Sequence, residues 1–219
     1  LPLFTLESRE EVRNFDFIGF TLQYEMSYTN ILNILDLTKI PLLSKDRKDG
    51  DPFVIAGGPC AYNPEPLADF IDFFVIGEGE EVTLEILNLY KKHKEENGTR
   101  EEFLEKLLEV EGVYVPKFYE ITYKDDNTIK EMIPLSPKAP KKIKKRMIRD
   151  LDTMFSPDKM IVPFIETVHD RVVLEIFRGC THGCRFCQAG MLYRPIREKS
   201  IDRLVELAEK LIESTGYEN

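Results

Sequence analysis

Pro52-Phe53-Val54-Ile55-Ala56-Gly57-Gly58-Pro59-Cys60 is an apolar run of strand length that stops on a Gly-Gly-Pro turn, and the fold is decided by its reading. Pro52 to Ala56 reads as a buried strand, and the glycines beyond it as a turn with no room for side chains. Upstream, Phe15 to Leu22 is a second apolar run, followed by Tyr28, Ile31, Leu32 and Leu35 at helical spacing, so a helix ends near Thr38, before Pro41. Ser44 to Asp51 is a polar loop. Downstream, Phe70 to Ile76 is a third strand, closed by Gly77-Glu78-Gly79-Glu80 and followed by a helix with Val82, Ile86, Leu89 and Tyr90 on its apolar stripe. Thr99 and Glu102 form a capping box that opens another helix, with Phe103, Leu104, Leu107 and Leu108 facing inward. Strands alternating with helices predict an α/β fold with a doubly wound parallel sheet.

Ligands of such sheets bind beyond the carboxyl ends of the strands. Here those ends carry Thr21 to Glu25, Gly57 and Gly58, and Gly77 to Glu80. Gly57, Gly58, Gly77 and Gly79 are therefore candidate cofactor-binding residues, and tight turning of the chain is the competing explanation. Glu78, Glu80 and Glu81 suit a helix start through the helix dipole rather than a metal. Cys60 reads as a small apolar neighbour of a turn, with no activating cation near it in sequence.

Farther along, Val113 to Val115 and Phe118 to Tyr123 read as edge strands or a hairpin arm, with Asp125-Asp126-Asn127 as a turn. Pro134 to Arg149 holds three prolines and seven lysines or arginines. It reads as a solvated linker, and alternatively as a basic strip for RNA or another polyanion. Val172 to Phe177 is a strand that delivers Arg178-Gly179-Cys180-Thr181-His182-Gly183-Cys184-Arg185-Phe186-Cys187, which contains three of the four cysteines in the chain. Three thiolates on one loop can hold three corners of a cubic iron–sulfur cluster and leave one iron open. A zinc site that adds His182 stays open as an alternative, although His182 lies cramped between two of the cysteines. Ser200 caps a last helix with Ile201, Leu204, Val205, Ala208, Leu211 and Ile212 on its packing face.

The spacing CxxxCxxC with Phe186 before the last cysteine resembles the signature of the radical S-adenosylmethionine (radical SAM) superfamily. The resemblance implies that Cys180, Cys184 and Cys187 bind a [4Fe-4S] cluster, that S-adenosylmethionine is the second cofactor, and that Phe186 packs near its adenine. It also implies reductive cleavage to a 5′-deoxyadenosyl radical, with a flavodoxin or ferredoxin as reductant and RNA or a small molecule as substrate. Ile55-Ala56-Gly57-Gly58-Pro59 followed by Phe74-Val75-Ile76-Gly77-Glu78-Gly79-Glu80 is similar to the flavodoxin-like, Rossmann-like cobalamin-binding domain upstream of the barrel in one branch of that superfamily, which admits cobalamin as a third cofactor. The DxHxxG motif that supplies a cobalt-binding histidine is absent, and His93, His169 and His182 stand in other contexts.

The division expected from these readings is a cobalamin-binding-type α/β domain over 1–133, incomplete at its N-terminus, a basic linker over 134–168, and the first βα unit of a TIM-like barrel over 169–219. A full barrel of that kind takes about 250 residues, so the chain is expected to be a fragment and inactive by itself. A non-catalytic RNA- or protein-binding module with a structural metal at the cysteine loop is the alternative function. The composition, 42% hydrophobic and 32% charged, supports a real core. A formal charge of −9 argues against nucleic-acid binding by the surface as a whole. No apolar run reaches the ~18 residues of a membrane helix, and the expected compartment is the cytoplasm.

Overall fold

The computed structural model describes residues 3–165, 168–169 and 171–217. The chain divides into two compact units, Leu1–Met147 and Ile148–Asn219.

The first unit is built on a four-stranded sheet in the order β1 (Phe17–Thr21), β2 (Phe53–Gly57), β3 (Phe73–Val75), β4 (Val113–Tyr114). β2 runs parallel to β1, from Phe17 opposite Phe53 to Thr21 opposite Gly57, and β3 runs parallel to β2. β4 is antiparallel to β3. The α/β class and the parallel pairing agree with the sequence. The strand order does not reverse among the described residues, so the doubly wound arrangement is not present there.

The crossovers differ in kind. β1 returns to β2 through α1 (Tyr28–Thr38), which buries Ile31 and Leu35. β2 reaches β3 through two short 3₁₀ turns, Pro59–Tyr62 and Glu65–Leu67, instead of an α-helix. Pro59, Pro64 and Pro66 remove backbone donors and bar a continuous helix. α2 (Gly79–Glu95) and α3 (Arg100–Lys106) follow β3. The Thr99 hydroxyl accepts from the Glu102 amide and the Glu102 carboxylate accepts from the Thr99 amide at 2.8 Å, which completes the expected capping box. Phe103, Leu104, Leu107 and Leu108 are all buried, as their spacing predicts. β5 (Tyr119–Tyr123) and β6 (Ile129–Pro134) form the expected hairpin.

Phe73, Phe74, Phe103, Leu35, Val54 and Val82 fill the core. Phe17, Phe53, Tyr90 and Phe103 pack edge-on or tilted beside them, with Phe53–Phe103 and Tyr90–Phe103 centroids at 5.0 Å and Phe17–Tyr90 at 4.7 Å. Beneath these rings lies a charged knot the sequence reading missed. Asp72 Oδ2 accepts from Arg47 at 2.8 Å and from the Val54 amide at 2.7 Å, and pairs with Arg100 at 2.7 Å. Arg47 also donates to the carbonyls of Pro41, Leu42 and Phe70, and Arg100 to those of Asp51 and Pro52. Paired with a carboxylate and bonded to backbone carbonyls as well, a buried charge can be kept. The loop from Ser44 to Asp51, read as merely polar, is thus anchored through Arg47.

The stretch Pro134–Arg149, read as a solvated linker, departs from that reading at Arg146. Its amide donates to the Ile76 carbonyl at 2.8 Å and its carbonyl accepts from the Glu78 amide at 3.0 Å. Its guanidinium pairs with Glu85 at 2.9 Å and Glu81 at 3.1 Å on α2. Charge repulsion extends a chain only where acidic partners are lacking, and α2 supplies two.

The second unit contains a two-stranded antiparallel pairing of β7 (Phe177–Arg178) with β8 (Arg197–Glu198), the short α4 (Ala189–Leu192), and α5 (Ile201–Thr215). Of the expected strand Val172–Phe177 only Phe177 is paired, together with its neighbour Arg178, because β8 is two residues long. The Ser200 hydroxyl accepts from the Arg203 amide and caps α5 as expected. The packing face of α5 differs: Leu207 and Leu211 are buried, whereas Ile201, Val205 and Ile212 are exposed.

Candidate metal centre

β7 and β8 close the base of the cysteine loop. Gly179 follows β7 at φ +110°, and a Cβ there would lie 2.7 Å from the Pro195 carbonyl oxygen, so only glycine lets the two limbs meet. Arg178 and Lys199 converge on Glu175. Arg178 donates to both carboxylate oxygens, at 2.7 and 3.1 Å, and Lys199 donates at 3.1 Å to the carboxylate and at 3.1 Å to the Glu175 carbonyl. Burial pushes the Glu175 carboxyl up, but Arg178 and Lys199 outweigh it and hold the group below its ordinary value. Arg194 Nε donates to the Cys180 carbonyl at 3.4 Å, and Arg197 to the carbonyls of Pro195 and Ile148. Arg178, Arg194 and Arg197 thus hold backbone or carboxylate.

Cys180, Cys184 and Cys187 are all free thiols; Cys180 is half-buried and the other two are exposed. The Cys187 amide donates to the Cys184 carbonyl at 3.0 Å, which turns the second half of the loop. Among the described residues no three His, Cys, Asp or Glu side chains are grouped as a metal site. The fit to an iron–sulfur cluster therefore rests on the donor set: three unpaired thiols within eight residues, on a loop whose base is tied down. Thiolates suit iron–sulfur clusters. Phe186 is 93% exposed.

Cys60 is buried in the first unit. Burial, then the nearby Glu25, pushes its thiol up, while a hydrogen bond with Tyr28 opposes them. It belongs to the core, as expected, and is a poor thiolate donor.

The glycines at the carboxyl ends of the strands meet the chain itself. A Cβ at Gly77, whose φ is +115°, would collide with the Arg146 backbone, and one at Gly58, φ +94°, would lie 3.0 Å from the Leu22 carbonyl oxygen. At Gly57 the neighbour is the Val75 carbonyl oxygen at 3.6 Å, and at Gly79 the Thr83 hydroxyl at 3.6 Å. Arg146 thus occupies the approach to Gly77 that the sequence assigned to a cofactor. Glu80 and Glu81 lie in the first turn of α2, as the dipole argument requires, and Glu81 serves Arg146 as well.

The model of the N-terminal region of radical SAM proteins matches residues 1–116. The chain belongs to the radical SAM proteins, a family that in general uses a [4Fe-4S] cluster and S-adenosylmethionine. An uncharacterized protein of Methanocaldococcus jannaschii is 31% identical over 213 residues, which cover 95% of this chain and 38% of that protein. The chain thus spans less than two-fifths of the length of that relative. No helix among the described residues is long and apolar enough to cross a membrane.

Proposed function

We propose that this chain carries the cluster-binding loop of a radical SAM enzyme and that Cys180, Cys184 and Cys187 are the three cluster ligands. The observation that supports the reading best is the coincidence of three free thiols in CxxxCxxC spacing with a radical SAM family match that ends well before them. Two separate stretches of sequence therefore point to one chemistry. When bound, a [4Fe-4S] cluster with an open iron supplies the electron that cleaves S-adenosylmethionine to a 5′-deoxyadenosyl radical.

The chain's own residues prepare the site. The three cysteines must lose their protons to serve as ligands, and Cys184 and Cys187 are open to solvent for loading. Gly179 and the pairing of β7 with β8 fix where the loop begins and ends. Glu175 pairs with both Arg178 and Lys199 at the base of the loop, and cationic side chains near bound thiolates would favour a negatively charged cluster. In this reading residues 1–133 form the α/β domain, 134–168 connect it, and 169–219 open the catalytic barrel. The substrate is RNA or a small molecule, the reductant a flavodoxin or ferredoxin, and the compartment a reducing one.

Anaerobic reconstitution of the 219-residue chain tests the ligand assignment by iron and sulfide analysis and electron paramagnetic resonance. A search for 5′-deoxyadenosine on the longer protein that contains it tests the reaction. Brown, oxygen-sensitive protein with the spectrum of a cubane cluster supports the reading, and colourless protein carrying zinc refutes it in favour of a structural metal.

A further inference from the structure

Glu65 is a half-buried carboxylate whose side-chain partner is a neutral group: the buried Tyr114 hydroxyl donates to it at 2.8 Å. Burial, and then Glu65 itself, push that hydroxyl up, so Tyr114 stays a proton donor and the carboxylate keeps its negative charge. Among the described residues no cation forms an ion pair with Glu65. A carboxylate has about four lone-pair sites, and one donor leaves room for another. Glu65 and Tyr114 line an apolar cavity of about 590 Å³, within the size range of small-molecule sites. Ile76, beside the carboxyl end of β3, Ile121 and Met132 of the β5–β6 hairpin, and Ile143 supply its apolar lining. Lys145, the cation on the same lining, already has an interaction within the chain. The charge left to meet a ligand is therefore the negative one of Glu65.

We infer that this cavity is a binding site for a small amphipathic amine, with an apolar body against Ile76, Ile121, Met132 and Ile143 and its ammonium group on the Glu65 carboxylate. An ammonium gives Glu65 the charge-assisted hydrogen bond that a phenol hydroxyl does not. The site belongs to the first unit and does not depend on a cluster at the cysteine loop.

Two probes of one shape test it on the full 219-residue chain at neutral pH: 1-naphthylmethylamine, which carries an ammonium, and 1-naphthalenemethanol, its uncharged counterpart. Calorimetric titration is expected to show saturable binding of both, with the amine about fivefold tighter. Glu65→Gln keeps an acceptor for the Tyr114 hydroxyl and removes the charge. It is expected to bring the two probes within about twofold of each other by weakening the amine alone. Glu65 also lines a polar cleft beside Ser44 to Asp49, whereas Ile129 lines only the apolar cavity and is 51% exposed. Ile129→Gln therefore reports on this cavity, and it is expected to weaken both probes about threefold by placing an amide on the apolar wall. Circular dichroism and melting establish that the variants are folded, and Glu65→Met serves as the second charge-removing variant. An amine bound no tighter than the alcohol, an amine preference that survives loss of the Glu65 charge, or binding that Ile129→Gln leaves unchanged would overturn the assignment.

Discussion

Val54-Ile55-Ala56 and Val172 to Phe177 are both apolar runs of strand length, and the two units treat them differently. The first lies between two parallel neighbours and is almost wholly covered. In the second, Val173, Ile176 and Phe177 are exposed and only Phe177 and Arg178 pair. An apolar run is a capacity for strand formation, and a partner of matching length turns it into a strand. The polar groups follow the same division. Asp72 and Arg47 are buried and paired, with Arg100 beside them, in the first unit, whereas Glu175, Arg178 and Lys199 tie down a loop in which two of three cysteines are open to solvent. The first unit is built to hold a shape, and the second presents reactive groups from a tethered base.

The sharpest way to break this contrast is Asp72→Ala, which leaves two buried guanidinium groups without their anion. It should cost about 3–5 kcal/mol in urea unfolding of the first unit. A loss below about 1 kcal/mol would show the knot to be wet. Gly77→Ala should cost about 1–3 kcal/mol, since the backbone there is left-handed and the Arg146 backbone fills the space. Limited trypsin digestion should then cut among Lys144, Lys145 and Arg146 faster than in the parent chain, and an unchanged rate would mean the strap is not docked. Thr99→Ala removes one side of the capping box and should cost about 1 kcal/mol, read as a lower melting temperature. The smallest effect belongs to the second unit. Glu175 sits below its ordinary value of 4.5, so its contribution is complete above that pH and is lost as pH falls through the lowered value. Amide exchange near Cys180 should therefore rise in acid below about pH 4.5, and Glu175→Gln should remove that rise.

How far the sequence carried the reading follows the same line. Elements defined by local chemistry were legible: the Thr99–Glu102 capping box, the ending of α1 at Thr38, the Asp125 to Asn127 turn, the Ser200 cap. Features that depend on residues far apart were not. Arg47 and Asp72 are 25 positions apart, and nothing in a polar loop announces that one of its cations will be buried. The two 3₁₀ turns between β2 and β3 went unread, since Pro64 and Pro66 drew no reading of their own. The α5 face was misplaced because its apolar residues exceed the width of one stripe, and only packing chooses among them. The glycines were found correctly as close-approach positions at Gly58 and Gly77, but glycine does not say whether a ligand or the chain itself will approach.

The central claim is that Cys180, Cys184 and Cys187 act together as cluster ligands, and iron and sulfide content after anaerobic reconstitution tests it most directly. About four irons and four sulfides per chain are predicted for the parent, and near-complete loss for a Cys→Ser change at any one of the three, with Cys60→Ser unchanged. Retention of the cluster in all three single variants, or its loss with Cys60→Ser, would contradict the account.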